Sequence, residues 1–211
     1  MQTQQDTTLH QKTQPLVTFI ITYYNLPVVM LAKCIESILA LSLRPYEREI
    51  IVVDDGSGTS PLHDLQRFAD DIIYLRKNNG GVSTARNQGL LNATGTFVQF
   101  MDGDDMLIPN TYEHCLDLVR YGKTDIVMFD FSHTDKCPGD YQDDDVMSGS
   151  ELMRSQNIQG SVWSYIFRRG ILGDLCFTPG INYGEDEEFT PQLLIRADNV
   201  VRTRSEERRV G

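Results

Sequence analysis

Apolar and polar positions alternate in blocks along the chain. After a polar opening, "LVTFIIT" (16–22) is apolar and β-branched, which predicts a strand. Asn25 then suits a helix cap and Pro27 a first helical turn. Leu31, Ile35 and Ile38 recur at helical spacing, as do Cys34, Ile38 and Leu41. "EIIVVDDGSG" (49–58) predicts a second strand running into a Gly/Ser turn, and "SPLHDLQRFA" a short helix. "DIIYLR" (71–76) predicts a third strand and "KNNGG" a turn. "VSTARNQGLLNA" (82–93) reads as a helix with Ala85, Leu90 and Leu91 facing inward, followed by a fourth strand, "TFVQFM" (96–101). "PNTYEHCLDLVRYG" (109–122) opens with Pro and closes with Gly, as a helix does, and "DIVMFDF" (125–131) is a fifth strand.

This order of strands and helices predicts an α/β fold: a single, mostly parallel central sheet with helices on both faces. Strands that are apolar almost without interruption fit burial on both sides. In such sheets the binding crevice lies at the carboxyl ends of the strands. The polar clusters stand there: "TYYN", "DDGSG", "KNNGG" and "DGDD".

From about residue 132 the pattern changes. "SHTDKCPGDYQDDDVMSG" is acidic and turn-rich, a loop or an excursion over the site, and its "DYQDDD" lacks the spaced ligands and closing glutamate of an EF-hand. "SVWSYIFRRGIL" and "YGEDEEFTPQLLIRADNVV" have mixed helical and extended character. The expected division is a disordered leader (1–15), an α/β region (16–131), a further region of the same domain (132–200) and a charged tail (201–211). That tail has no apolar face and reads as a solvated helix or an artificial appendage.

Composition narrows the function. A net charge of −11 argues against non-specific nucleic-acid binding, which needs a basic face. An anionic substrate must therefore be met by a local exception. Cys34, Cys115, Cys137 and Cys176 stand apart with no Cys-x-x-Cys pair, so they read as reduced thiols of a cytoplasmic protein. The scattered histidines suggest no metal cluster. No stretch reaches the roughly 20 apolar residues that span a bilayer, and the polar start lacks the apolar region of a secretory signal.

The chemistry concentrates at "FVQFMDGDD" (97–105), where a buried strand ends in Asp102, Asp104 and Asp105. Carboxylates held this close repel one another unless one is protonated or a divalent cation sits between them. Mg²⁺ and Mn²⁺ take oxygen ligands, and Mg²⁺ characteristically uses one or two carboxylates plus substrate phosphates. A solvated acidic turn is the plain alternative. Asp54 and Asp55 repeat the theme after the second strand, with side chains on opposite sides. One can hold the "GSG" turn while the other accepts an N–H from a nucleobase. No Gly-x-Gly-x-x-Gly follows the first strand, which disfavours a dinucleotide site.

Taken together, "VTFIITYYN", "EIIVVDDGSG", "RKNNGGVSTARNQGLLNATGTFVQFMDGDD", "VWSYIFRR" and "YGEDEEF" resemble, in order and spacing, the family 2 glycosyltransferases. The resemblance covers roughly residues 16 to 196. It implies the GT-A nucleotide-sugar fold and inverting transfer from a nucleoside diphosphate sugar, with UDP preferred. The acceptor would be a hydroxyl of a saccharide or lipid-linked saccharide in cell-surface polysaccharide synthesis. It implies that Asp102 and Asp104 hold Mg²⁺ or Mn²⁺, with Asp105 a further acidic position. Asp55 would receive the uracil N–H, Thr22 and Tyr24 would stand beside the nucleotide, and Arg86 and Asn87 would line the nucleotide-sugar pocket. Arg86 could there offset phosphate charge. In "GEDEEF" (184–189) it implies Asp186 as catalytic base, with Glu185 second to it; from local sequence alone these are simply an acidic helix start. Trp163 matches an acceptor-side aromatic, although a single Trp is usually core.

Two departures stand against the family pattern. The usual "DDGSTD" is "DDGSGTS" here, and the chain stops soon after the Glu-Asp segment where members often continue, sometimes to the membrane. Two rival readings remain. A sugar-phosphate nucleotidyltransferase would need a Gly-rich basic loop after the first strand, which "TYYNLP" does not supply. A non-catalytic sugar-nucleotide-binding module would not need "GED".

Overall fold

The computed structural model describes residues 14–132, 141–181 and 183–209. Most of the leader, and part of the acidic segment that includes Cys137, lie outside them. The strands are β1 (Val17–Tyr23), β2 (Arg48–Asp54), β3 (Ile72–Arg76), β4 (Phe97–Asp102), β5 (Met106–Leu107), β6 (Ile126–Ser132), β7 (Tyr165–Arg168) and β8 (Val200–Arg209). They form one sheet in the order β3-β2-β1-β4-β7-β6-β8-β5. The β3-β2-β1-β4 half is parallel throughout. The short β7 enters antiparallel between β4 and β6, and β8 runs parallel to β6.

The helices are α1 (Val28–Leu39), α2 (Val82–Asn92), α3 (Pro109–Tyr121), α4 (Gly149–Ser155) and α5 (Glu185–Leu194). Alternation along β1 feeds two cores. Phe19 and Ile21 pack with Leu31, Ile35 and Ile38 of α1 and with Tyr112 and Leu116 of α3. Ile20, Val98 and Phe100 pack on the other face with Ala85 of α2 and with Phe189 and Leu193 of α5. Helices thus cover both faces, as the continuous apolar strands require. Burying side chains of this size stabilises the fold by about 1.5–3 kcal/mol each, before entropy.

Gly89 explains how closely α2 lies on the sheet. A Cβ there would stand 2.2 Å from Ile20 Cγ2, so any side chain would push the helix off β1. That close approach carries Arg86, one turn earlier, down towards the sheet.

Three local expectations are corrected. "SPLHDLQRFA" forms two short 3-10 turns, Pro61–His63 and Gln66–Phe68, the first capped by Ser60; Pro61 and polar neighbours do not supply a continuous helical stripe. Leu91 is 82% exposed and only Leu90 packs inward, because adjacent helical residues diverge by about 100°. The charged tail is not a solvated helix: residues to Arg209 extend β8 along β6, where backbone pairing outweighs the lack of an apolar face.

Register aligns the polar strand ends. Tyr23 pairs with Asp54, Thr22 with Asp102, and Asp54 with Arg76. The carboxyl ends of β1, β2, β3 and β4 therefore open on one side of the sheet.

Candidate active site

At the end of β2 the two adjacent aspartates do different work. Asp54 is fully buried, and its Oδ1 accepts the Ser57 N–H at 2.8 Å, which holds the "GSG" turn. Its Oδ2 accepts the Tyr74 hydroxyl at 2.6 Å and lies 3.6 Å from Arg76 Nε. Burial pushes its pKa up, but the Tyr74 and Ser57 hydrogen bonds together with Arg76 outweigh it and leave the group below the ordinary carboxylate range. Burial and the neighbouring Asp54 carboxylate push the Tyr74 hydroxyl up to about 12.

Asp55 faces the other way and gathers the 77–81 loop. Its carboxylate accepts Lys77 Nζ at 2.5 Å, Asn79 Nδ2 at 3.1 Å, and the backbone N–H groups of Gly80 and Gly81 at 3.1 and 2.8 Å. Lys77 also donates to the Asn78 carbonyl and to Thr84 Oγ1. Gly56 makes the docking possible: it sits at φ +80°, and a Cβ there would meet Asn79 N at 2.6 Å.

A cavity of about 370 Å³ opens beside Asp55 and is lined by Thr22, Tyr24, Leu26, Asn79, Val82 and Asp102 as well. Larger cavities of about 670 and 740 Å³ lie against the 3-10 turns at the β3 edge and at the amino ends of β2 and β3. The smaller one is the candidate site, because it alone of these three lies at the carboxyl ends of β1 and β4.

The "DGDD" turn forms the floor. The Gly103 N–H donates to the Thr22 carbonyl at 2.9 Å, and the Asp105 N–H donates to the Asp102 carbonyl at 3.0 Å. Asp102 Oδ1 accepts from Thr22 Oγ1 at 3.2 Å. Asp102 and Asp104 are half-buried and accessible, whereas Asp105 is 2% exposed and belongs to the interior. Among the described residues no three His, Cys, Asp or Glu side chains converge on one point. Asp102 and Asp104 are the accessible carboxylates of this turn, the oxygen donors that a hard cation would use.

Arg86 of α2 connects this floor to α5. Its guanidinium is 3.5 Å from Asp102 Oδ1 through Nη2, and through Nη1 it is 3.0 Å from Glu185 Oε1 and 2.5 Å from Asp186 Oδ1. It lies 5.3 Å from the Phe177 ring centroid and 6.0 Å from that of Phe100. Gly184, at φ +80°, starts α5 so that Glu185 and Asp186 fall in its first turn. Asp186 Oδ2 accepts the Val162 N–H at 3.2 Å. Burial pushes the Asp186 pKa up to about 6, against the pull of Arg86 and the Val162 N–H, while Glu185 and Asp102 add to the rise. A half-buried carboxyl pushed up to about 6 has the character that a general base requires.

The structure thus joins Thr22, Tyr24, Asp55 and Asp102 around one cavity and links Asp102 to Glu185 and Asp186 through Arg86. Asn87 lies apart: its carboxamide receives the Phe177 N–H and donates to the Phe177 carbonyl, both at 2.8 Å, and it borders a separate cavity with Leu90 and Leu172. Trp163 is half-buried, edge-to-face with Phe131. Sequence reasoning missed the donors of Lys77, Asn79, Gly80 and Gly81 on Asp55. The adjacent glycines of "KNNGG" are the signal, since such turns present successive N–H groups to an anion. The Val162 N–H on Asp186 left no local trace.

Comparison with known proteins agrees with this arrangement. The family model described as Glycosyl transferase family 2 matches residues 18–173. The chain is 28% identical over 202 residues to the glycosyltransferase EpsJ of Bacillus subtilis, covering 88% of this chain and 58% of that protein. It is 28% identical over 185 residues to the minor teichoic acid biosynthesis protein GgaB of the same organism, covering 83% of this chain and 20% of GgaB. It therefore spans well under two thirds of the length of either relative. Among solved structures, S. aureus TarS 1-349 in complex with UDP superposes with a TM-score of 0.73 at 19% identity, over 89% of this chain and 57% of that one. The mannosyltransferase PcManGT from Pyrobaculum calidifontis, in complex with GDP-Man and Mn²⁺, gives 0.64 at 16% identity, over 89% and 54%. These likenesses show the GT-A fold. Matched by the family model over most of its length, the chain belongs to glycosyl transferase family 2.

Proposed function

We propose that this chain carries out inverting transfer of a sugar from a UDP-sugar to a hydroxyl of a saccharide or lipid-linked saccharide, in the synthesis of a cell-surface polymer. The observation that carries the reading is the continuous polar line from the cavity at Asp55 through Asp102 and Arg86 to Asp186. Solved complexes of TarS with UDP and with UDP-GlcNAc support the donor class, and the teichoic acid relative GgaB supports the polymer.

The base sits in the cavity between Tyr24 and Val82. Its ring N–H goes to Asp55, which lines that cavity. Thr22 and Asp102 stand at the diphosphate end. Asp102 and Asp104 would hold Mg²⁺ or Mn²⁺, a Lewis acid for the charge that grows on the leaving diphosphate. Asp186 takes the proton of the acceptor hydroxyl as that oxygen attacks the anomeric carbon from the face opposite the diphosphate. Glu185 shares Arg86 with it and helps keep that guanidinium in place. No helix among the described residues is long and apolar enough to cross a membrane. The scattered cysteines, with no Cys-x-x-Cys pair, support a reducing, cytoplasmic setting.

The test is release of UDP from a panel of UDP-sugars by the purified protein with Mn²⁺, with and without short saccharide acceptors. Release that depends on one sugar and falls to background in Asp186→Asn supports the reading. Binding of the sugar nucleotides without release or transfer, in the presence of acceptor, would favour a non-catalytic module. Release from GDP-sugars alone would overturn the uridine assignment.

A further inference from the structure

Arg86 is placed where a ligand for the donor diphosphate would be expected, yet its surroundings describe another task. The side chain is 4% exposed, on a bed formed by Phe100 and Phe177. Its Nη1 meets Asp186 at 2.5 Å and Glu185 at 3.0 Å, and its Nη2 meets Asp102 at 3.5 Å. Its Nε has no partner among the described residues but is sealed from the cavity as well as from solvent. One positive charge thus faces three carboxylates from two further elements. The cluster is already in negative excess before any phosphate arrives, so this guanidinium has no charge left to neutralise a diphosphate.

We infer that Arg86 is a positioning residue for the base Asp186, joining α5 to the end of β4, and is not a ligand of the donor phosphates. The inference rests on the proposed role of Asp186. Arg86 fixes one carboxylate oxygen of Asp186 and the Val162 N–H fixes the other, which sets the direction in which the remaining lone pairs meet the acceptor. Arg86 also favours the ionised form that can take a proton. The charged groups facing Asp186 are Arg86 from α2, Glu185 beside it on α5 and Asp102 from β4. Arg86 alone of these opposes protonation. Asp102 and Asp104 would instead hold a cation to neutralise the phosphates.

The test reads two quantities that differ between the roles. Carbon-13 label in aspartate carboxyls, with the Asp186 signal assigned by its loss in Asp186→Asn, gives the Asp186 titration midpoint in wild type, Arg86→Gln and Arg86→Lys. Calorimetry with UDP and Mn²⁺ gives affinity for the same proteins. Arg86→Gln is expected to raise the midpoint by about half a pH unit or more, with UDP affinity kept within about fivefold, and Arg86→Lys to fall between it and wild type. A midpoint that moves less than that, or a larger loss of UDP affinity, overturns the inference. Should Arg86→Gln fail to fold, Arg86→Lys decides: a raised midpoint with UDP affinity kept supports positioning, and an unmoved midpoint or a lost affinity overturns it. Failure of wild type to bind UDP would count against the donor reading, and the midpoint would then decide the positioning role by itself.

Discussion

Asp54, fully buried, and Asp186, half-buried, are carboxylates that each face an arginine, and their protonation moves in opposite directions. Asp54 receives the Ser57 N–H, the Tyr74 hydroxyl and the approach of Arg76, and stays below the usual range. Asp186 receives Arg86 and one backbone N–H, yet burial and two neighbouring carboxylates carry it up to about 6. An arginine contact therefore does not by itself fix the state of such a carboxylate. The supply of donors measured against desolvation does. The first arrangement locks a turn, and the second leaves a carboxylate that takes up a proton near pH 6.

The comparison breaks most visibly at Asp186. Asp186→Asn keeps shape and removes basicity, so turnover should fall by about 10²–10⁴-fold while UDP affinity stays within about threefold, measured by UDP release and calorimetry. An equal loss of both would make Asp186 a binding residue. Next is Asp104→Ala, which should weaken UDP binding in Mn²⁺ by about tenfold or more, down to the background that wild type shows in EDTA. On the structural side, Asp54→Ala strands the Ser57 N–H and Tyr74 hydroxyl in the interior. It should cost about 2 kcal/mol and lower the melting temperature by about 4–8 °C. The same change at the more accessible Asp104 should cost little. The mildest effect is on pH dependence. A base raised to about 6 is protonated below that value, so turnover should climb with pH through about 6 and level off above it. A profile already flat at pH 5 would remove the contrast between the two carboxylates.

What was legible in the sequence follows from how local each signal is. The five apolar strands and the polar clusters at their ends could be read because a buried parallel sheet needs uninterrupted apolar runs. Asp54 and Asp55 could be separated by alternation, and the structure gives Asp54 the "GSG" turn. Tyr165–Arg168 resisted reading because four residues carry no decisive period, and its partners in β4 and β6 lie far away in sequence. β8 resisted because its charged composition argues against the strand that pairing with β6 creates. The contacts of Arg86 span 99 and 100 residues to Glu185 and Asp186, which no local pattern encodes. From the sequence, only the family resemblance assigns Arg86 a task, that of offsetting phosphate charge. Asn87 adjoins it in sequence but straps the backbone of Phe177, because neighbouring positions on α2 point in different directions.

The central claim is that a nucleoside diphosphate binds between Asp55 and Asp102 with a divalent cation at Asp102 and Asp104. Calorimetric titration of UDP into the protein, with Mn²⁺ and again with EDTA, tests it directly when repeated on Asp104→Ala. The expected result is binding by wild type that requires Mn²⁺ and is lost in Asp104→Ala. Binding that is equally strong in EDTA, or in Asp104→Ala with Mn²⁺, would contradict the cation's place at these carboxylates, and absence of UDP binding by wild type in either condition would contradict the uridine site.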